Sequence, residues 1–150
     1  MTDTKQQLYQ LCVAYIEQRI DTAQEAIRIA QTSANDETKS SAGDKYETGR
    51  AMMQLEIEKN TVQLAEAIKL KQLLQQINPD KETTSVQLGS MVTTNQGNFY
   101  IAISAGQLTL KGKTYFAISA STPIGIKLMG QQKGAQFIFN NKTYTIEAIC

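Results

Sequence analysis

Residues Tyr9, Val13, Ile16, Ile20, Ala23, Ile27, Ala30 and Ala34 follow one another at intervals of 4, 3, 4, 3, 4, 3 and 4. An a/d seam of that length fits neither a strand nor an isolated surface helix, because it must be buried along its whole length by another helix. A second seam follows, through Met53, Ile57, Asn60, Leu64, Ala67, Lys71 and Leu74. Asn60 and Lys71 interrupt it, while Val62, Ile68, Leu70, Leu73 and Ile77 broaden its apolar face. The segment between the seams, Asn35 to Gly43, is short and polar, and short connections make neighbouring helices antiparallel. The expectation is one helical hairpin over roughly residues 5–77, with arms reaching about 45 Å at 1.5 Å per residue. A pair of such helices in a dimeric bundle is the alternative.

The period changes after Asn78-Pro79. Proline drives the residue before it out of the α region, so this pair ends the second helix. Composition shifts at the same place. Residues 1–78 carry 11 acids and 9 bases, residues 79–150 carry 3 acids and 6 bases, and seven of the nine glycines fall after Leu88. The chain is therefore divided into residues 1–78 as the hairpin, 79–83 as a polar linker, and 84–150 as a second module. In that module Met91–Thr94 and Asn98–Ser104 flank a turn at Asn95-Gln96-Gly97. Thr114–Ser119, Gln136–Phe139 and Thr143–Ile149 read as further strands, the last two joined by Asn140-Asn141. Thr122 to Met129 reads as a short helix, capped by Ser121 or Thr122, opened by Pro123 and stopped by Gly130. The order β-β-β-α-β-β gives an α+β fold with an antiparallel sheet wrapped on one helix.

The chain contains no histidine. This removes Ser-His-Asp and Cys-His catalysis and His-ligated zinc. Two cysteines, Cys12 and Cys150, cannot hold a structural zinc alone, and nothing marks the chain for disulfide formation. The N-terminal residues lack the apolar core of a signal peptide and no run is long enough to span a bilayer, so a cytoplasmic location without membrane attachment is expected. Fifteen basic against fourteen acidic residues leave little counterion-release drive for free DNA binding, which is expected to be weak or absent.

Chemistry concentrates at the hairpin tip, where Asp36, Glu37, Asp44 and Glu47 surround one turn. Asp44 and Glu47 are spaced i, i+3 and share a helix face. Two readings stay open on the residues alone. Asp-x-x-Glu is a capping box, and acids at a helix N-terminus complement its dipole by about 0.3–1 kcal/mol each. Carboxylates on a long probe can also bring oxygen ligands to a distant magnesium ion, which binds few protein carboxylates and leaves other ligands to its partners.

The segment Ser119-Ala120-Ser121-Thr122-Pro123-Ile124-Gly125-Ile126-Lys127-Leu128-Met129-Gly130, with Gly134 beyond it, resembles the C-terminal signature of bacterial Gre transcript-cleavage factors. Gly43-Asp44-Lys45-Tyr46-Glu47 is similar to that family's Gly-Asp-x-x-Glu tip. The resemblance covers nearly the whole chain and implies an FKBP-like second module that binds bacterial RNA polymerase. It also implies a coiled coil inserted into the secondary channel toward the nascent RNA 3′ end. Asp44 and Glu47 would then act in trans in the polymerase active site, helping to hold a magnesium ion shared with the polymerase, and Pro123, Ile124, Gly125 and Lys127 would contact the partner. The factor would have no cofactor and no active site of its own, only stimulating cleavage by the polymerase. The sequence departs from the family after Glu47, where Thr48-Gly49-Arg50 stands, and Thr122 replaces the serine before proline. A Gre-like polymerase-binding regulator without cleavage activity, or an unrelated protein-interaction module, are the alternatives.

Overall fold

Two helices too long to be stable unless partnered account for the first half of the chain. In a computed structural model, α1 spans Thr2–Thr38 and α2 spans Gly43–Gln75. The structure describes residues 2–38 and 43–150, and only the backbone of residues 2, 34, 36–38 and 43–47. The first helix runs four residues into the expected connection, so Asp36 and Glu37 belong to its last turn rather than to a loop.

The chain divides into two units, 16–71 and 1–15 with 72–150. In the helical unit the two seams are the buried set. Ile16, Ala23, Ala30, Asn60 and Ala67 are buried, while Ile20, Ile27, Met53, Ile57, Leu64 and Lys71 are half-buried. The helices run antiparallel there, because the Lys71 ammonium lies 3.9 Å from the Glu17 carboxylate. Further along, Gln63 shares a groove with Thr22 and Ala23, and Gln54 shares one with Gln31 and Asn35. Asn60 occupies a seam position and satisfies its amide within its own helix, donating to the Glu56 carbonyl at 2.9 Å and its carboxylate at 3.1 Å.

The other unit is built on a six-stranded sheet of β1 (Met91–Thr94), β2 (Gly97–Ile101), β3 (Gly106–Leu110), β4 (Lys113–Ile118), β5 (Gln136–Phe139) and β6 (Lys142–Ile149), with α3 (Pro123–Leu128) between β4 and β5. The order across the sheet is β3-β4-β2-β1-β6-β5. Two features correct the sequence expectation. Strand β3 was not expected, and the sheet is mixed rather than antiparallel, since β2 and β4 pair in parallel with Phe99 opposite Phe116. The insertion of β3 reverses the chain once more before β4, which gives β4 the same direction as β2.

Alternation along β2 shows how the sheet is covered on both faces. Phe99 and Ile101 join Val86, Val92, Leu128 and Ile146 in one core, with Ile124 of α3 packed against it. Tyr100 points the other way and is fully buried, its hydroxyl close to Cys12 and Tyr9 at the base of α1. Leu8 and Cys12, which lie off the expected seam, are buried here for the same reason. Burial pushes the Cys12 thiol up to about 12, so it is a protonated core residue. Cys150 is likewise a buried free thiol.

Polar groups tie the start of the chain to the segment after α2. The buried Lys5 ammonium donates to the Lys81 carbonyl, the Gln6 amide donates to the Asp80 carboxylate, and the Tyr9 hydroxyl donates to the Leu74 carbonyl at 3.1 Å. The helix stop behaves as the Asn-Pro pair dictates. Bonds from Gln76 and Ile77 back to Leu73 and Leu74 tighten the last turn, and the Asn78 side chain then accepts from the Asp80 amide at 3.0 Å.

Candidate functional site

Two regions carry the residues singled out by sequence. The first is the opening of α2. Asp44 is its second residue and Glu47 lies three further on, so the helical backbone places both on one face. Their side chains lie outside the described residues. Among the described residues no group of three acids or cysteines could hold a metal ion. Two carboxylates at i, i+3 fit a magnesium ion only as a partial ligand set, to be completed by another molecule.

The second region is the corner leading into α3, and its geometry is fully described. Thr122 is extended, with φ −70° and ψ 158°, and caps the helix: its hydroxyl oxygen accepts from the Gly125 amide at 3.1 Å and its hydroxyl donates to the Ser119 carbonyl at 2.8 Å. Pro123 sits in the first turn, where its missing N–H costs nothing. Threonine is thus the cap residue of this helix. Gly125 is buried, and a Cβ there would lie 2.2 Å from the Ser119 carbonyl oxygen and 2.8 Å from the Thr122 hydroxyl. Its role is to let helix and turn touch. The Met129 amide closes the helix on the Gly125 carbonyl, and Gly130 (φ 81°) donates to Val86 at 2.8 Å.

This corner sorts the four expected contact residues. Gly125 is buried and Ile124 is half-buried against the core, whereas Pro123 and Lys127 are exposed. The exposed apolar groups beside them were missed. Ile126 is 65% exposed, and Ile138 on the edge strand β5 is 66% exposed. Lys127, Gln136, Phe137, Ile138 and Thr143 line an open groove of about 540 Å³. Its floor is held by Phe137 stacked on Tyr144, with ring centroids 5.1 Å apart. The alternation of β5, with Phe137 inward and Ile138 outward, was the available signal for Ile138. The resulting surface is a shallow apolar strip with one cation at its edge, suited to the side of a helix or strand rather than to a small molecule.

No protein-family model matches the chain, and no curated protein matches it. Among solved structures, one described as "Structure of the transcription factor Gfh1" aligns over 94% of this chain and 92% of that chain, with 18% identity and a TM-score of 0.35. No described helix is long and apolar enough to cross a membrane.

Proposed function

We propose that the chain is a Gre-type transcription factor that binds bacterial RNA polymerase through its α+β module and carries Asp44 and Glu47 to the polymerase active site on the helical hairpin. The observation that carries the reading is one of placement. The Gly-Asp-x-x-Glu segment falls at the opening of the second of two long antiparallel helices, and the signature around Thr122–Gly130 forms an intact capped corner beside an exposed apolar groove. Docking uses Pro123, Ile126, Lys127 and Ile138 on the module surface. Gly125 and Ile124 keep that surface in shape from beneath.

In this reading Asp44 and Glu47 accept no proton and form no covalent bond. They present carboxylate oxygens that complete a magnesium site supplied mainly by the polymerase. Such an ion activates water and neutralises charge on the phosphodiester under attack. The factor is not itself an enzyme, and the chemistry belongs to the complex.

Stalled, backtracked elongation complexes test the proposal. Wild-type protein is expected to bind core polymerase and accelerate cleavage of the transcript 3′ end. Asp44→Asn with Glu47→Gln is expected to bind equally well and lose the stimulation, because Asn caps about as well as Asp but brings no charge to a metal. Failure to bind core enzyme at micromolar concentration and low salt would sink the transcription reading. A double variant that still stimulates cleavage would return both residues to a capping role. A second reading, a polymerase-binding regulator without cleavage activity, is favoured by Thr48-Gly49-Arg50. Gly49 within the early turns of α2 costs about 1 kcal/mol against Ala and loosens the backbone that must hold the two acids. Binding without cleavage by the wild-type protein would establish it.

A further inference from the structure

The two edges of the sheet differ in what they present. Strand β5 ends the order β3-β4-β2-β1-β6-β5, and it meets β6 through a two-residue turn at Asn140 and Asn141, both at positive φ. Such a turn is closed by a hydrogen-bonded pair, here Phe139 with Lys142, and hydrogen-bonded pairs alternate from there along the ladder. The Ile146 amide, donating to the Ala135 carbonyl at 2.9 Å, has the same phase. Ala135, Phe137 and Phe139 therefore turn their backbone groups to β6, while the N–H and C=O of Gln136 and Ile138 point to the open side. Among the described residues no hydrogen bond from another segment reaches them. The opposite edge, β3, exposes the polar Gln107 and Thr109, whereas β5 exposes Ile138.

We propose that the β5 edge takes up an extended, acidic segment of a partner protein as an added strand. The outward groups of Gln136 and Ile138 supply the main-chain pairing, and the groove along Phe137 and Ile138 receives the segment's apolar side chains. Charge selects the occupant. Residues 84–150 contain five lysines and one acid, Glu147. Lys133 precedes β5, Lys142 follows its turn and Lys127 lines the groove. Among the described residues none of these three forms an ion pair. Two copies placed edge to edge would bring their lysines together, which is how free edges are kept from pairing with themselves. A strand carrying carboxylates meets the same cations with opposite sign. The inference rests on the polymerase reading only for which protein carries the segment.

Nuclear magnetic resonance of the isotope-labelled full chain tests strand addition without the polymerase. The probe is a capped peptide of about eight residues alternating Glu and Val, the length of one strand. At low salt it is expected to shift β5, its turn and Lys127, with a Kd on the order of 1 mM, and to slow amide exchange at Gln136 and Ile138. Added salt weakens it, and a Lys-Val peptide of the same length is expected not to bind. Ile138→Val keeps the N–H and is expected to bind like wild type. Ile138→Pro removes an N–H that β6 does not use, a place where edge strands accept proline, and is expected to lose binding. If that variant loses its sheet resonances, Lys127→Glu with Lys142→Glu serves instead, and is expected to refuse the Glu peptide and take the Lys peptide. No shift at β5 up to about 10 mM peptide overturns the proposal. So do shifts without slowed exchange at the two amides, or proline and valine variants that bind alike. An oligothymidylate that shifts β5 as strongly as the Glu peptide overturns it too, and gives the lysines to nucleic acid. Binding to core polymerase is measured separately, so its failure beside a bound peptide removes the polymerase and leaves the strand site standing.

Discussion

Replacing Gly125 by Ala sets two opposing magnitudes against each other. Helix propensity favours Ala over Gly by about 1 kcal/mol, and Gly125 lies inside α3 with no left-handed backbone requirement. On propensity alone the variant should be more stable. The added Cβ, however, would stand 2.2 Å from the Ser119 carbonyl oxygen, where carbon and oxygen normally approach no closer than about 3.3 Å. The oxygen belongs to the backbone and cannot rotate away. Relief requires a shift of about 1 Å between turn and helix, enough to break the 3.1 Å bond from the Gly125 amide to Thr122. Overpacking costs about 1–3 kcal/mol and loss of the cap about 1 kcal/mol. The expected net loss is about 1–3 kcal/mol, which lowers the Tm of a unit this size by at least about 4 °C. Thermal denaturation of wild type, Gly125→Ala, Thr122→Ala and the double variant checks the account. Thr122→Ala loses the cap alone, about 1 kcal/mol, and the double variant stays less stable than Thr122→Ala because the Ser119 contact remains. A Tm for Gly125→Ala equal to or above wild type would refute the steric reading.

Other consequences are equally measurable. Ile126→Glu and Ile138→Glu alter exposed side chains, so stability should stay within about 0.5 kcal/mol of wild type while polymerase binding in a pull-down falls. Loss of binding accompanied by a lower Tm would point to misfolding instead. Cys12 holds its proton to about pH 12 in the folded chain against an ordinary 9.0. Stability from this group is therefore complete below pH 9 and lost as pH rises toward 12, by up to about 1.4 kcal/mol per pH unit. Tyr100, also shifted upward by burial, adds to the fall above pH 10. Urea titrations at pH 8 to 11 should show a shallower decline for Cys12→Ala than for wild type, and identical slopes would contradict this. Asn60→Leu should raise the melting temperature followed at 222 nm, by about 1–2 kcal/mol of added burial, because among the described residues the Asn60 amide bonds within its own helix. A lower melting temperature would mean that Asn60 bridges the two helices.

The seams were legible because a sustained 4-3 spacing has one structural solution, and every residue of the second seam is buried or half-buried except as helix packing requires for its neighbours. Val62 and Ile68, expected to broaden that seam, are instead exposed, since a one-residue difference rotates a side chain by 100° around the helix. The base of the hairpin was harder to read. Leu8 and Cys12 are buried with the sheet unit, not along the seam, and a buried Lys5 has no signature in periodicity. Strand β3 is short, opens on a glycine and lies at an edge with only Leu108 and Leu110 half-buried. Its signal was the turn after it, where Lys111 and Gly112 both take positive φ, the pattern of a tight hairpin. The parallel pairing of β2 with β4 depended on that missed strand. At the site, Thr122 and Pro123 were readable as a cap, but burial of Gly125 and exposure of Ile138 follow from tertiary packing.

The pairing of β1 with β6 has a kinetic consequence. These strands meet near the middle of the sheet, with Val92 opposite Ile149, and they are separated by all the other strands and α3. A loop of that length must close before the pairing yields any stabilisation, which places the sheet unit among slow-folding topologies. The helical unit needs only contacts between two helices adjacent in sequence and forms on the fast timescale of helical proteins. During the interval Leu8, Cys12 and Tyr9 have no sheet to cover them. In refolding the chain should show an early rise in helicity followed by a slower burial of Tyr100, and the slow phase is the period in which the helix base is open to aggregation.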